Sequence, residues 1–105
     1  MTTKAELKKN FADLIGADDD ATLEEFYASY KEGVVNAHSD MLKAIAAGDF
    51  MAVRQAAHAL KGIALTANHQ EAMDISLAVS AAAKQEQMDP IRDLAAKLQE
   101  LCNQL

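Results

Sequence analysis

Apolar residues recur at spacings of three and four along the chain, the period of helices that bury one face. Five helical segments follow from this pattern and its punctuation. The first is predicted over about 3–15. Thr3 with Glu6 makes a capping-box pattern, Leu7, Phe11, Leu14 and Ile15 form the apolar stripe, and Gly16 stands where a helix-ending glycine belongs. Residues 17–21, with Asp18, Asp19 and Asp20 in succession, read as a solvated loop. That run lacks the later ligands and the glycine of a calcium loop. A second capping box, Thr22 with Glu25, opens the longest helix, predicted over about 22–47. Its stripe is Leu23, Phe26, Tyr27, Tyr30, Val34, Ala37, Met41 and Ile45, with the two tyrosines read as core and rim packing, and Gly48 closes it. Asp49 then caps a third helix over about 50–67, whose inner face is Phe50, Val53, Ala57, Leu60 and Ala64. Asn68 ends it, either as a left-handed residue or as the N-cap of the next helix, where Glu71 would complete a capping box. The fourth helix, about 69–87, turns Ala72, Ile75, Val79 and Ala82 inward. Asp89 followed by Pro90 reads as N-cap and first helical position of the last helix, about 90–104, with the stripe Ile91, Leu94, Leu98, Leu101 and Leu105.

The expected fold is all-α: an up-down-up-down antiparallel four-helix bundle with a short additional N-terminal helix, forming a single domain over 1–105. Two-residue connections such as Gly48-Asp49 make neighbouring helices antiparallel. Composition supports the helices, since 22 alanines stand against 13 Val, Ile and Thr residues, with one Pro and four Gly. The formal net charge of −6 argues against a non-specific nucleic-acid binder and against an anionic membrane surface. No signal peptide or membrane span is read, because Lys4, Lys8 and Lys9 are followed by no long apolar run. The single cysteine, Cys102, has no partner for an internal disulfide and is read as a small buried hydrophobe. These features point to a soluble, cytoplasmic domain. A monomer is expected, because one bundle consumes all the apolar stripes.

Three histidines are the first candidates for chemistry: His38, His58 and His69. None has a second histidine or a Glu at helical metal-ligand spacing; the residue three before His58 is Gln55. No glycine-rich phosphate loop or Gly-x-Ser-x-Gly is present. His38 is read as a solvent-facing or boundary residue of the long helix. His58 differs in its direction. At about 100° per residue, with Val53 at zero, Phe50, Ala57, Leu60 and Ala64 fall within about 60°, whereas His58 falls near 140°. The imidazole should therefore point outward.

Two further features mark that face. Gly62, one turn after His58, leaves nothing to cover the ring, at a cost of roughly 1 kcal/mol relative to Ala in a helix interior. It lies near 180° from the stripe, away from the expected helix–helix contacts. The window from Phe50 to Gln70 also contains no Asp or Glu, although the chain has 16 of them. Its only formal charges are Arg54 and Lys61, four before and three after His58. A positive island round an outward imidazole suits a group that becomes dianionic, such as a phosphorylated histidine.

The run Ala57-His58-Ala59-Leu60-Lys61-Gly62 resembles the His-x-Leu-Lys-Gly signature of histidine-containing phosphotransfer (HPt) domains. The approach Ala46-Ala47-Gly48-Asp49-Phe50 resembles the family's junction ahead of the phosphorylated helix, and the likeness extends to the whole expected architecture. The resemblance implies a phosphorelay intermediate: His58 as phosphoacceptor through Nε2, Lys61 steadying the phosphoryl oxygens, and Gly62 opening the surface. The family usually has Gly ten residues after the histidine, where this chain has Asn68, which tolerates the left-handed conformation. Some members carry a Gln 22 residues on, where this chain has Ser80; Ser76 and His69 share that flank as possible polar partners.

On this reading the chain is a phosphocarrier without an ATP site or a cofactor of its own, rather than an enzyme. Mg²⁺ would come with the partner, a response-regulator receiver domain or a hybrid histidine kinase. Met51 and Leu65, near the same face as His58, would contribute to docking. The alternative is a non-phosphorylated helical interaction module that binds or sequesters a receiver.

Overall fold

The computed structural model describes residues 2–16 and 19–105. Among them are five α-helices and no strand: α1 (Lys4–Ile15), α2 (Asp20–Ala47), α3 (Phe50–Ala67), α4 (Gln70–Lys84) and α5 (Met88–Gln104). None is long and apolar enough to cross a membrane. The 28 residues of α2 set the long axis, since about 1.5 Å per residue gives roughly 42 Å, against a longest extent of 44 Å. α3 packs against α2 and α4, α5 packs against α4 and α2, and α1 lies across α2 and α3.

The core is built from the expected stripes. Leu7, Phe11, Val34, Met41, Val53, Leu60, Val79, Ile91 and Leu98 are fully or almost fully buried, with buried alanines between them. Small residues let α3 sit close to both neighbours: Ala56, Ala57, Ala64 and Ala67 are buried beside Val53 and Leu60. On the α2 side Gly33 faces Ile63, and a Cβ there would meet the Ile63 side chain at 3.3 Å. The hydrophobic contribution is concentrated in the few large side chains, so Leu60→Ala costs roughly 2–5 kcal/mol.

Several local expectations are corrected. α2 begins two residues earlier than the Thr22–Glu25 box implied. Asp19 is the N-cap, its carboxylate accepting from the Thr22 backbone N–H at 3.1 Å and from the Thr22 hydroxyl at 2.7 Å. Asp20 and Ala21 are thus helical rather than loop, while Ala17 and Asp18 lie outside the described residues. α4 ends at Lys84, not near residue 87, and α5 starts at Met88 with Gln87 as N-cap, not at Asp89-Pro90. Proline is tolerated throughout a first helical turn because those N–H groups have no intrahelical acceptor. Asp89 in that turn accepts instead from Arg92 at 3.1 Å. Leu14 is 62% exposed and Phe26 41%, against their places in the stripes. α1 buries only the narrow Leu7–Phe11 line, and the Phe26 ring lies against Phe11 at 6.0 Å between centroids, on the rim rather than in the core.

Two histidines are structural. His38, expected to face solvent or lie at the boundary, is buried, with Nε2 3.1 Å from the Ala95 carbonyl on α5. The carbonyl can only accept, so Nε2 carries the proton. His69, the N-cap of α4, is 2% exposed and links three elements. Nε2 donates to the Glu71 carboxylate (3.1 Å), which leaves Nδ1 of the neutral ring to accept from the Tyr30 hydroxyl at 2.6 Å. Glu71 also accepts from the backbone N–H (2.9 Å) and hydroxyl (2.7 Å) of Thr2. The network ties the segment before α1 to α2 and to the start of α4. A second tie runs from the Asn10 amide to the Ala67 carbonyl at 2.8 Å.

Burial lowers the His69 pKa, opposed by Glu71. Burial would raise that of Glu71, but the two Thr2 donors, the neighbouring His69 and its own backbone N–H together outweigh it and hold the carboxyl below its ordinary value of 4.5. Both groups therefore bind protons more readily in the unfolded chain, and their contribution to stability falls as the pH falls. The His69 part is complete above its ordinary value of 6.5 and is lost below that value. Urea midpoints should decline between pH 7 and pH 5, and less steeply in His69→Gln; a midpoint independent of pH over that range would contradict the network.

Candidate functional site

α3 is fixed at both ends. At its start Asp49 accepts from the Ala52 backbone N–H at 3.1 Å, a cap worth roughly 1 kcal/mol. At its end Asn68 adopts the left-handed conformation (φ 48°), and the His69 N–H donates to the Ala64 carbonyl while the Asn68 N–H donates to that of Leu65. Asn68 is thus the C-cap of α3 rather than the N-cap of α4. With both ends capped and one face packed on α2 and α4, the outer face of α3 has a set direction.

His58 is on that outer face and is exposed. Among the described residues, neither ring nitrogen takes part in a hydrogen bond or ion pair. Gly62 is exposed one turn later, and a Cβ built there would meet nothing within 4 Å. The contrast with Gly33 is informative. A Cβ at Gly33 would crowd Ile63, whereas no packing contact bears on Gly62. Lys61 is exposed beside it.

An open groove of about 530 Å³ adjoins the ring, lined by Met51, Arg54, Gln55, His58 and Ser80. The structure therefore brings Arg54 and Ser80 to the same depression as His58, and it leaves Lys61 and Gly62 on the next turn of α3, outside the lining. Ser80 is half-buried on α4. Neither of the other polar partners considered on that flank joins it. The buried Ser76 hydroxyl donates to the Met73 carbonyl at 2.7 Å, and His69 is committed to Tyr30 and Glu71. Gln55, noted in the sequence only as a missing metal ligand, is a member of the groove.

The surroundings are apolar and positive. Met51 is 61% exposed and Leu65 57% exposed. Among the described residues no ion pair involves Arg54 or Lys61, whereas the other arginine, Arg92, pairs with Asp89. Two unpaired cations beside an uncovered imidazole, with no carboxylate in the lining, favour an incoming or developing anion. A ring nitrogen there has an unhindered line of approach for an electrophile. No group of three or more His, Cys, Asp or Glu residues able to hold a metal is found among the described residues.

Because the space above Gly62 is open, Gly62→Ala should stabilise the fold by about 0.5–1 kcal/mol, read from urea unfolding. Gly48→Ala, at φ +65°, should destabilise it. A loss of stability in Gly62→Ala would mean that this glycine serves packing after all.

No family model, curated protein or solved structure matches the chain.

Proposed function

We propose that this chain is a phosphorelay intermediate of the histidine-containing phosphotransfer type. One observation carries the reading: an exposed imidazole on a helix whose other face is core, uncovered by a glycine that touches nothing. Packing gives no reason for Gly62, and access to His58 does. The His-x-Leu-Lys-Gly pattern in residues 58–62 supports the same reading. The pairing of α2 with α3, α3 with α4, α4 with α5 and α5 with α2, through connections as short as Gly48-Asp49 and Asn68-His69, supports an up-down-up-down four-helix bundle with α1 added outside it.

The chemistry asked of the chain is small. A ring nitrogen of His58 attacks the phosphorus of a receiver phosphoaspartate, or of a kinase phosphohistidine, in line with the leaving group. The N–P bond forms, the bond from phosphorus to the leaving oxygen or nitrogen breaks, and the leaving group keeps its electron pair. Phosphoryl transfer of this kind depends chiefly on positioning and on charge. His58 supplies the nucleophile, Gly62 the access, and Lys61 a nearby cation. The partner would supply Mg²⁺, and the chain needs no ATP site for such a step. The partner would be a receiver domain or a hybrid histidine kinase, met by a monomeric domain in the cytoplasm. Met51 and Leu65 would form part of the docking surface round the ring.

Incubation with a phosphorylated receiver should transfer label to the chain in an acid-labile, alkali-stable form, and His58→Gln should abolish it. Gly62→Leu should slow transfer by at least about tenfold, by placing a side chain over the ring, while retaining the fold. Label that persists in His58→Gln would contradict the assignment. Binding of a receiver without any transfer would favour a module that sequesters receivers.

A further inference from the structure

The groove beside His58 extends in one direction only, toward the turn that precedes the histidine. Helical side chains lean toward the N-terminus, so the imidazole lies over the turn carrying Arg54 and Gln55 rather than over Lys61 and Gly62. The lining agrees, since Met51, Arg54, Gln55 and Ser80 share the groove with the ring and Lys61 does not. A phosphoryl group on a ring nitrogen would therefore have three polar side chains of this chain along the groove walls, only one of them charged.

That charge is free to act. The chain holds 16 acidic residues and two arginines. Arg92 is engaged by Asp89, but among the described residues Arg54 has no ion-pair partner. An exposed arginine left unpaired in so acidic a chain, in a groove without a carboxylate, is placed for an anion that arrives from outside. The guanidinium offers two parallel N–H donors to two oxygens of a phosphoryl group, a geometry that an ammonium cannot reproduce.

We infer that Arg54 is the residue that grips the phosphoryl group on His58, through a two-point contact, with Gln55 and the Ser80 hydroxyl as neutral donors on the groove walls. Lys61 contributes charge from the turn beyond without sharing that contact. The inference rests on the phosphocarrier reading of His58 and adds to it which side chains hold the group once it is there. Ser80, with its short side chain, is the α4 member of the groove lining.

The test needs no protein partner. Potassium phosphoramidate serves as the donor: a His58 ring nitrogen forms the N–P bond, the P–N bond of phosphoramidate breaks, and the nitrogen leaves as ammonia. The ³¹P signal of the resulting phosphohistidine is then titrated with pH. A cation held on the oxygens favours the dianion and lowers the midpoint of that titration. Removing it in Arg54→Ala should raise the midpoint by about half a pH unit or more. Arg54→Lys should recover only part of the difference, because it keeps the charge and loses the fork. Lys61→Ala should move the midpoint less than Arg54→Ala does. The ³¹P midpoint reports on the phosphoryl itself, so a purely structural role for Arg54 would leave it unchanged while altering urea stability. A midpoint that ignores Arg54 in phosphorylated protein would overturn this inference alone. Failure of the wild-type His58 to take the label at all would overturn the phosphocarrier reading, and this inference with it.

Discussion

The burial of one face of α3 is the constraint from which the site follows. Val53, Ala56, Ala57, Leu60, Ala64 and Ala67 are committed to the core, and small residues among them allow close packing on both α2 and α4. A helix held on two sides cannot rotate without exposing Leu60 or burying Arg54 and Lys61, and either change costs several kcal/mol. His58, five residues after Val53, is outward for that reason. Its exposure is a property of the fold and does not depend on the choice of a side-chain rotamer.

Charge is distributed in keeping with that geometry. Near α1 and the start of α2, Lys8 meets Asp20 at 2.6 Å and Glu24 at 2.9 Å, and Lys4 meets Glu24 at 3.2 Å. These exposed or part-exposed pairs add little to stability, and they engage Lys4 and Lys8. The outer face of α3 keeps its cations unpaired. The polar network of Tyr30, His69, Glu71 and Thr2 lies beyond the far end of α3 from the groove, where it fixes the α3–α4 turn and the segment before α1. The chain thus leaves one imidazole exposed on the outer face of α3 and buries two as hydrogen-bonded structural members.

Most of the helical pattern was legible in the sequence because each stripe repeats over several turns and each turn adds to the same signal. Helix ends were less legible, because a cap depends on a single residue and several candidates compete. At the start of α2, Asp19 lies three residues before Thr22 and takes the backbone N–H that a Thr22 cap would have left for others. At α5, Pro90 suits a first position but is equally compatible with a third, and the α4–α5 turn, with Glu86 at φ 54°, set the start two residues earlier. His38 could have been placed correctly, since it follows the buried Val34 by four and precedes the buried Met41 by three. Its polar character outweighed its register. The outward direction of His58 came from periodicity alone, and the acid-free window was visible in composition. The partnership of His58 with Arg54, Gln55 and Ser80 was only partly visible, because Ser80 joins from another helix and lateral helix placement leaves no short-range trace in sequence.

The central claim is that the exposed imidazole, and neither buried one, forms a bond to phosphorus. Long-range ¹H–¹⁵N spectra of the histidine rings, recorded with ³¹P coupling after reaction with a phosphorylated receiver, test this directly. The account predicts that one ring, that of His58, acquires a nitrogen–phosphorus coupling while the His38 and His69 signals keep their positions. Coupling on a buried ring, or three unchanged rings in protein that has consumed the receiver's phosphoryl group, would contradict it.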